Sequence, residues 1–181
     1  MLLSDAEADG LDAGGANDAA VLVPIRDWPR SPSITFTERR ADLRRHAGEI
    51  SFPGGRCDPD DRHARDTALR ESSEEIALDP AHVTVAGALS PVGTFVSSYR
   101  IQPFVGLVGE GAEMQPNPDE VAAILSFDLE ELAAAYEMRR LVRHGLPFRT
   151  ATFEMDRHLI WGATARILAD LLARLDLLAR P

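Results

Sequence analysis

The stretch from Phe52 to Leu78 reads FPGGRCDPDDRHARDTALRESSEEIAL, and the rest of the chain is arranged around it. It opens with a Pro-Gly-Gly turn and closes in a helical run carrying Arg70, Glu71, Glu74 and Glu75. Residues three and four apart share a helix face, so the spacing predicts three glutamates on one side. Carboxylates that close repel one another, and a divalent cation is the usual compensation. Hard cations such as Mg²⁺ take oxygen ligands from a few side chains and fill the remainder with water or phosphate. Arg70 is placed to pair with a neighbouring carboxylate, holding it ionised and aimed. Alone, such a run is most often a solvated helix face. The upstream glycines change that balance, because they let the backbone turn tightly and bring a carbonyl close to a ligand.

Taken together these residues resemble the Nudix box, G-x5-E-x7-R-E-U-x-E-E-x-G-U, with U aliphatic. Gly55 matches the first position, and Arg70, Glu71, Glu74 and Glu75 match the core. Three positions depart from the pattern. Asp61 replaces the first glutamate with eight residues rather than seven before Arg70, Ser72 stands at an aliphatic position, and Ala77 replaces a glycine. The turn-formers Asp58, Pro59, Asp60 and Asp61 absorb the extra residue. At Ala77 the helix is expected to run on to the Asp79-Pro80 stop. The resemblance implies an α/β fold, the Nudix α/β/α sandwich with a mixed sheet between helices. It also implies Mg²⁺ or Mn²⁺ held by Glu71, Glu74, Glu75 and Gly55. Arg70, Glu71 and Glu75 become the catalytic candidates, with Glu71 the first choice of general base.

A second informative segment, TERRADLRRHAGEISFPGG over 37–55, crowds Arg39, Arg40, Arg44, Arg45 and His46 before the glycine turn. A positive cluster beside a diphosphate site suits an anionic substrate. The segment is similar to the signature LLTxR-[SA]-x3-R-x3-G-x3-FPGG of Nudix enzymes that act on coenzyme A. Thr37, Arg39, Arg44, Gly48 and Phe52–Gly55 fall in register; Thr35-Phe36 and Arg40 do not match. The resemblance implies a small-molecule substrate, coenzyme A or an acyl-CoA, recognised by Arg39, Arg44, His46 and Gly48. ADP-ribose, a dinucleoside polyphosphate or a nucleoside triphosphate is the rival within enzymes. A catalytically silent ligand-sensing module is the rival from another class, disfavoured because every RExxEE acid is kept.

The chain has 181 residues and a net charge of −10, with 29 acidic and 19 basic residues. That balance argues against nucleic-acid binding. Every basic residue other than histidine is arginine, the side chain suited to bidentate phosphate recognition. The single cysteine, Cys57, permits no internal disulfide and fits a reducing compartment. No apolar run is long enough for a membrane span, and acids lie where a signal peptide has basic residues. A cytoplasmic protein is expected.

The small, acidic segment over 1–19 reads as a flexible arm, and residues 20–181 as one domain. Apolar runs predict strands at 20–25, 34–37, 83–89, 101–108 and 120–127, with two short ones at 150–154 and 158–161. Glu120 is a candidate fourth acid at the mouth of a loop. Asp128 and Glu131 announce a short helix. Arg139, Arg140 and Arg143 lie in a stretch the pattern does not assign. Over 163–178, Ile167, Leu168, Leu171, Leu172, Leu175 and Leu178 recur at helical spacing, a core stripe or the face of a homodimer.

Overall fold

The computed structural model describes residues 1–42, 48–94, 98–143 and 145–178. The elements run in the order α1 Asp5–Asp9, β1 Asn17–Arg26, β2 Ser33–Arg39, β3 Ile50–Ser51, β4 Gly54–Arg56 and α2 Ala64–Ile76. They continue with β5 Val83–Ala88, β6 Val92–Gly93, β7 Tyr99–Val108, β8 Val121–Asp128 and α3 Leu129–Ala134. The chain closes with β9 Tyr136–Arg143, β10 Leu146–Met155, β11 His158–Ile160 and α4 Gly162–Arg174.

Among the described residues the first eight strands form one sheet, with β3-β2-β1-β7-β5 as its main path. β1 runs parallel to β7 from Asn17↔Tyr99 to Ile25↔Leu107, whereas its pairing with β2 is antiparallel. The sheet is therefore mixed, as the resemblance implied. β1 shows why it needs cover on both faces. Val21, Val23 and Ile25 enter one apolar cluster with α4, while Ala20 and Leu22 enter a second with α2. That split is the two-residue alternation of a strand, and two covered faces make the near-continuous apolar run of a central strand.

The expected flexible arm over 1–19 is corrected by the structure. Ser4 caps α1 reciprocally with Glu7, and Ala8 is fully buried in the α2-side cluster. Leu3 bridges Ala88, and Arg174 donates to the Met1 carbonyl at 2.7 Å. Small residues here mark close packing rather than disorder.

Two further differences follow from edges. The unassigned arginine stretch is β9, which pairs antiparallel with β10 from Tyr136↔Phe153 to Leu146↔Arg143. Together with β11 these form a separate three-stranded sheet; charges are common on edge strands and hide their period. α4 ends at Arg174, earlier than the pattern suggested, and Ile167, Leu168, Leu171 and Leu172 are spent on the core rather than on a dimer face. No helix among the described residues is long and apolar enough to cross a membrane.

Candidate active site

The site begins with two glycines on β4. Gly54 holds φ +155°, and a Cβ there would overlap the Ala20 carbonyl and the Val21 backbone of β1. At Gly55 a Cβ would overlap the carboxylate of Glu71. Glycine at both positions lets β4 lie between β1 and α2, so that an α2 carboxylate rests directly on the backbone. The Gly54 N–H donates to Glu75 Oε2 at 3.2 Å.

Arg70 is the hub of the cluster. Its Nε and Nη2 grip Asp61 at 3.2 and 2.9 Å, and Nη1 donates to Glu71 Oε1 at 2.9 Å. Nη2 also reaches the Arg56 carbonyl at 3.2 Å, tying the helix to β4. Asp61 further accepts from Thr67 Oγ1 at 2.7 Å and from the Asp58 backbone N–H at 3.0 Å. The arginine beside it holds its carboxyl well below the usual carboxylate range, with the Thr67 hydroxyl adding to the effect. The Asp-for-Glu departure is thereby explained. A tight turn, closed by Asp61 N–H to the Asp58 carbonyl at 3.0 Å, brings the shorter side chain within reach of Arg70.

The three glutamates are not equivalent. Glu75 is 7 % exposed; Glu71 has a side chain 19 % exposed, and Glu74 one 58 % exposed at the rim. The expectation of three carboxylates on one side holds only loosely, with Glu71 and Glu75 turned inward. Burial pushes the Glu75 carboxyl up to about 7, assisted by repulsion from Glu120 and Glu71 and opposed by the Gly54 N–H and Arg39. Burial also raises Glu71, against the pull of Arg70.

Glu120 joins the cluster through a loop that caps α2. Gln115 N–H donates to the Ile76 carbonyl and Asn117 N–H to the Glu75 carbonyl, at 2.9 and 2.8 Å. These bonds satisfy carbonyls that a helix end leaves without partners. Arg39 Nη1 lies 3.7 Å from Glu120 Oε2, and Arg40 N–H donates to the Glu120 carbonyl. β2 and β3 pair antiparallel, and the Gly48 N–H donates to the Arg39 carbonyl at 3.0 Å. Arg44 and His46 lie outside the described residues.

Two positions off the carboxylates complete the helix. Ser72, buried where an aliphatic side chain was expected, returns its hydroxyl to the Ala68 carbonyl at 2.7 Å. Ala77 corrects the expected continuation to Asp79-Pro80: it takes φ +53° as the left-handed C-cap, with its N–H on the Ser73 carbonyl. The motif's glycine position was the available signal for that turn.

Among the described residues, no three carboxylates already converge as a metal-binding set. The donor chemistry nevertheless fits a hard divalent cation. Glu71, Glu74, Glu75 and Glu120 offer only oxygen, and burial with mutual repulsion leaves Glu71 and Glu75 short of positive charge. Rotation of Glu74 from the rim would complete the set.

The NUDIX domain profile matches residues 16–145. The Nudix hydrolase NudL of Pectobacterium atrosepticum is 41 % identical over 155 residues, covering 84 % of this chain and 80 % of that protein. The NudL protein of Photorhabdus laumondii is 40 % identical over 84 % of this chain and 82 % of its own length. Among solved structures, the Nudix hydrolase RenU of M. smegmatis superposes with a TM-score of 0.60 at 17 % identity, covering 99 % of this chain and 98 % of its own. The NUDIX domain of Shewanella oneidensis NrtR, complexed with ADP ribose, gives 0.52 at 18 % identity over 73 % and 88 %. These two likenesses show the fold. On the profile match and the identity to the NudL proteins, the chain belongs to the Nudix hydrolase family.

Proposed function

We propose that the chain hydrolyses the diphosphate of coenzyme A or an acyl-CoA, releasing adenosine 3′,5′-bisphosphate and 4′-phosphopantetheine or its acyl derivative. The observation that carries this reading is the signature running from Thr37 through Arg39, Arg44 and Gly48 into Phe52–Gly55. Support comes from the Arg39–Glu120 ion pair, which joins the first arginine of that signature to the carboxylate cluster.

The chemical difficulty is delivering water to a phosphorus surrounded by negative oxygens. Glu71, Glu74, Glu75 and the Gly55 carbonyl would hold a Mg²⁺ or Mn²⁺ ion, which would supply charge neutralisation and a more acidic water. The chain's own groups do the remainder. Arg70 binds one oxygen of Glu71 at 2.9 Å and fixes its rotamer; the other oxygen is the one we assign to water as general base. Glu75, held by the Gly54 N–H, sets the distance between α2 and the glycine turn. Arg39 adjoins the carboxylates, so we assign it to the diphosphate and Arg44 to the 3′-phosphate.

A substrate panel tests this reading. Purified protein is incubated with coenzyme A, ADP-ribose, a dinucleoside polyphosphate and deoxynucleoside triphosphates, each with Mg²⁺ and with Mn²⁺, and the products are identified. Coenzyme A is expected to be cleaved most efficiently, with Glu71→Gln nearly abolishing turnover. Faster cleavage of ADP-ribose or a nucleotide would leave the Nudix chemistry and remove the coenzyme A assignment. No turnover of any substrate would favour the sensing module.

A further inference from the structure

The geometry points to β9 as a homodimer edge, pairing antiparallel with β9 of a second copy about a two-fold axis at Met138. This surface is separate from the carboxylate cluster. Among the described residues β9 has one strand neighbour, β10, so its other edge presents unpaired N–H and C=O groups. Exposed edges are templates for another strand, and proteins usually blunt them with proline, a bulge or brevity. Proline, bulge and brevity are absent, since β9 has eight residues, no proline and an unbroken register with β10; charged side chains, a further such device, are present as Glu137, Arg139 and Arg140, so a partner strand must match them. β9 exposes Tyr136 at 37 % and Met138 at 40 %, apolar side chains at even positions and thus on one face; with the two-fold at Met138 the pairing spans Tyr136–Arg140, since the residues after Arg140 would oppose the end of α3.

The charges select the register. Opposite residues of an antiparallel pair share a face, and a two-fold at Met138 sets each pair of numbers to a constant sum. Met138 then meets the partner's Met138, Glu137 meets the partner's Arg139, and Tyr136 meets the partner's Arg140. Opposite charges face each other, and an arginine lies beside a tyrosine ring. Within one chain Arg139 is already held by Glu137 and Glu154, each at 2.6 Å, and the partner's Glu137 would be a third carboxylate on its guanidinium. A two-fold centred on Arg139 would instead oppose arginine to arginine. The contact is isologous and closes on itself.

Sedimentation velocity on the full chain, from micromolar to hundreds of micromolar, tests the pairing. A reversible dimer is expected, and Met138→Arg, which opposes two like charges at the axis, is expected to be monomeric with unchanged circular dichroism. Cysteine variants in a Cys57→Ser background read the register directly. Opposed strand residues have Cα atoms roughly 4.5–5.5 Å apart, within disulfide range, so Met138→Cys is expected to cross-link under diamide. Val142 would lie about 27 Å from the partner's Val142 at some 3.4 Å per residue, so Val142→Cys is expected to stay monomeric. A wild-type chain that remains a monomer throughout overturns the proposal and leaves the edge to some other strand. So does a dimer that survives Met138→Arg, or equal cross-linking through both cysteines. Should Met138→Arg fail to fold, the cysteine pair decides alone.

Discussion

At Glu75 burial and the neighbouring carboxylates act together against the Gly54 N–H and Arg39. Its carboxyl is held against the Gly54 N–H in a place that pushes it from 4.5 up to about 7. Between those values the metal-free folded chain keeps a proton that the unfolded chain has released. The stability tied to that proton is fully present below pH 4.5 and is lost as pH rises through 7, by up to about 3 kcal/mol. In chelator, Glu75→Gln is therefore expected to raise Tm at pH 8 and to change it little at pH 4.5, as thermal melts would record. Equal shifts at both pH values would contradict this account of Glu75. The neighbouring glycines separate folding from chemistry. In Gly54→Ala the new Cβ meets backbone at a left-handed φ, and a loss of about 3 kcal/mol in denaturant melts is expected. In Gly55→Ala its nearest neighbours are the carboxylate atoms of Glu71, the far end of a flexible side chain; stability should hold within about 1 kcal/mol while kcat falls at least about a hundredfold. The sequence made these acids and glycines visible through their spacing. It could not rank Glu75 above Glu74, because that ranking depends on burial against β4.

At the scale of elements, α2 ends on a strained alanine. Ala77 holds a left-handed φ of +53°, so Ala77→Gly is expected to stabilise the chain by about 0.5–1 kcal/mol, read from the midpoint of a denaturant melt. The sequence signalled a departure there, but not its outcome. Helix propensity favoured continuation, whereas the bonds from Gln115 and Asn117 to the last carbonyls favour termination. α1 shows the opposite limit. Its residues carry little apolar area, and local pattern could not anticipate that Arg100 Nη2 donates to the Ala8 and Leu11 carbonyls at 3.2 and 3.1 Å. Removing residues 1–11 exposes the cluster around Ala8 and leaves Arg100 without these acceptors. We expect a loss of about 3 kcal/mol, roughly 6–12 °C in Tm; an unchanged melt would show the segment to be a loose arm after all.

Across the whole molecule, a net charge of −10 opposes a polyanionic substrate. Binding then depends on where positive charge is concentrated. Arg39 lies beside the carboxylates, and Arg44 follows five positions later in the sequence. The central strands β1 and β7 were legible because their middle residues form buried apolar runs; that the sheet they join is mixed came from the resemblance. In the second sheet β10 and β11 answer the short strands expected at 150–154 and 158–161, whereas β9 was missed, since its charged edge strand has no clear period. The central claim is recognition of the coenzyme A 3′-phosphate next to a Nudix diphosphate site. It is tested most directly by comparing kcat/KM for coenzyme A and 3′-dephospho-coenzyme A, in wild type and in Arg44→Gln. A preference of about 10–100-fold for coenzyme A is predicted, the worth of one charge-assisted contact, with most of it lost in Arg44→Gln. Equal efficiency on both substrates in the wild type would contradict the account.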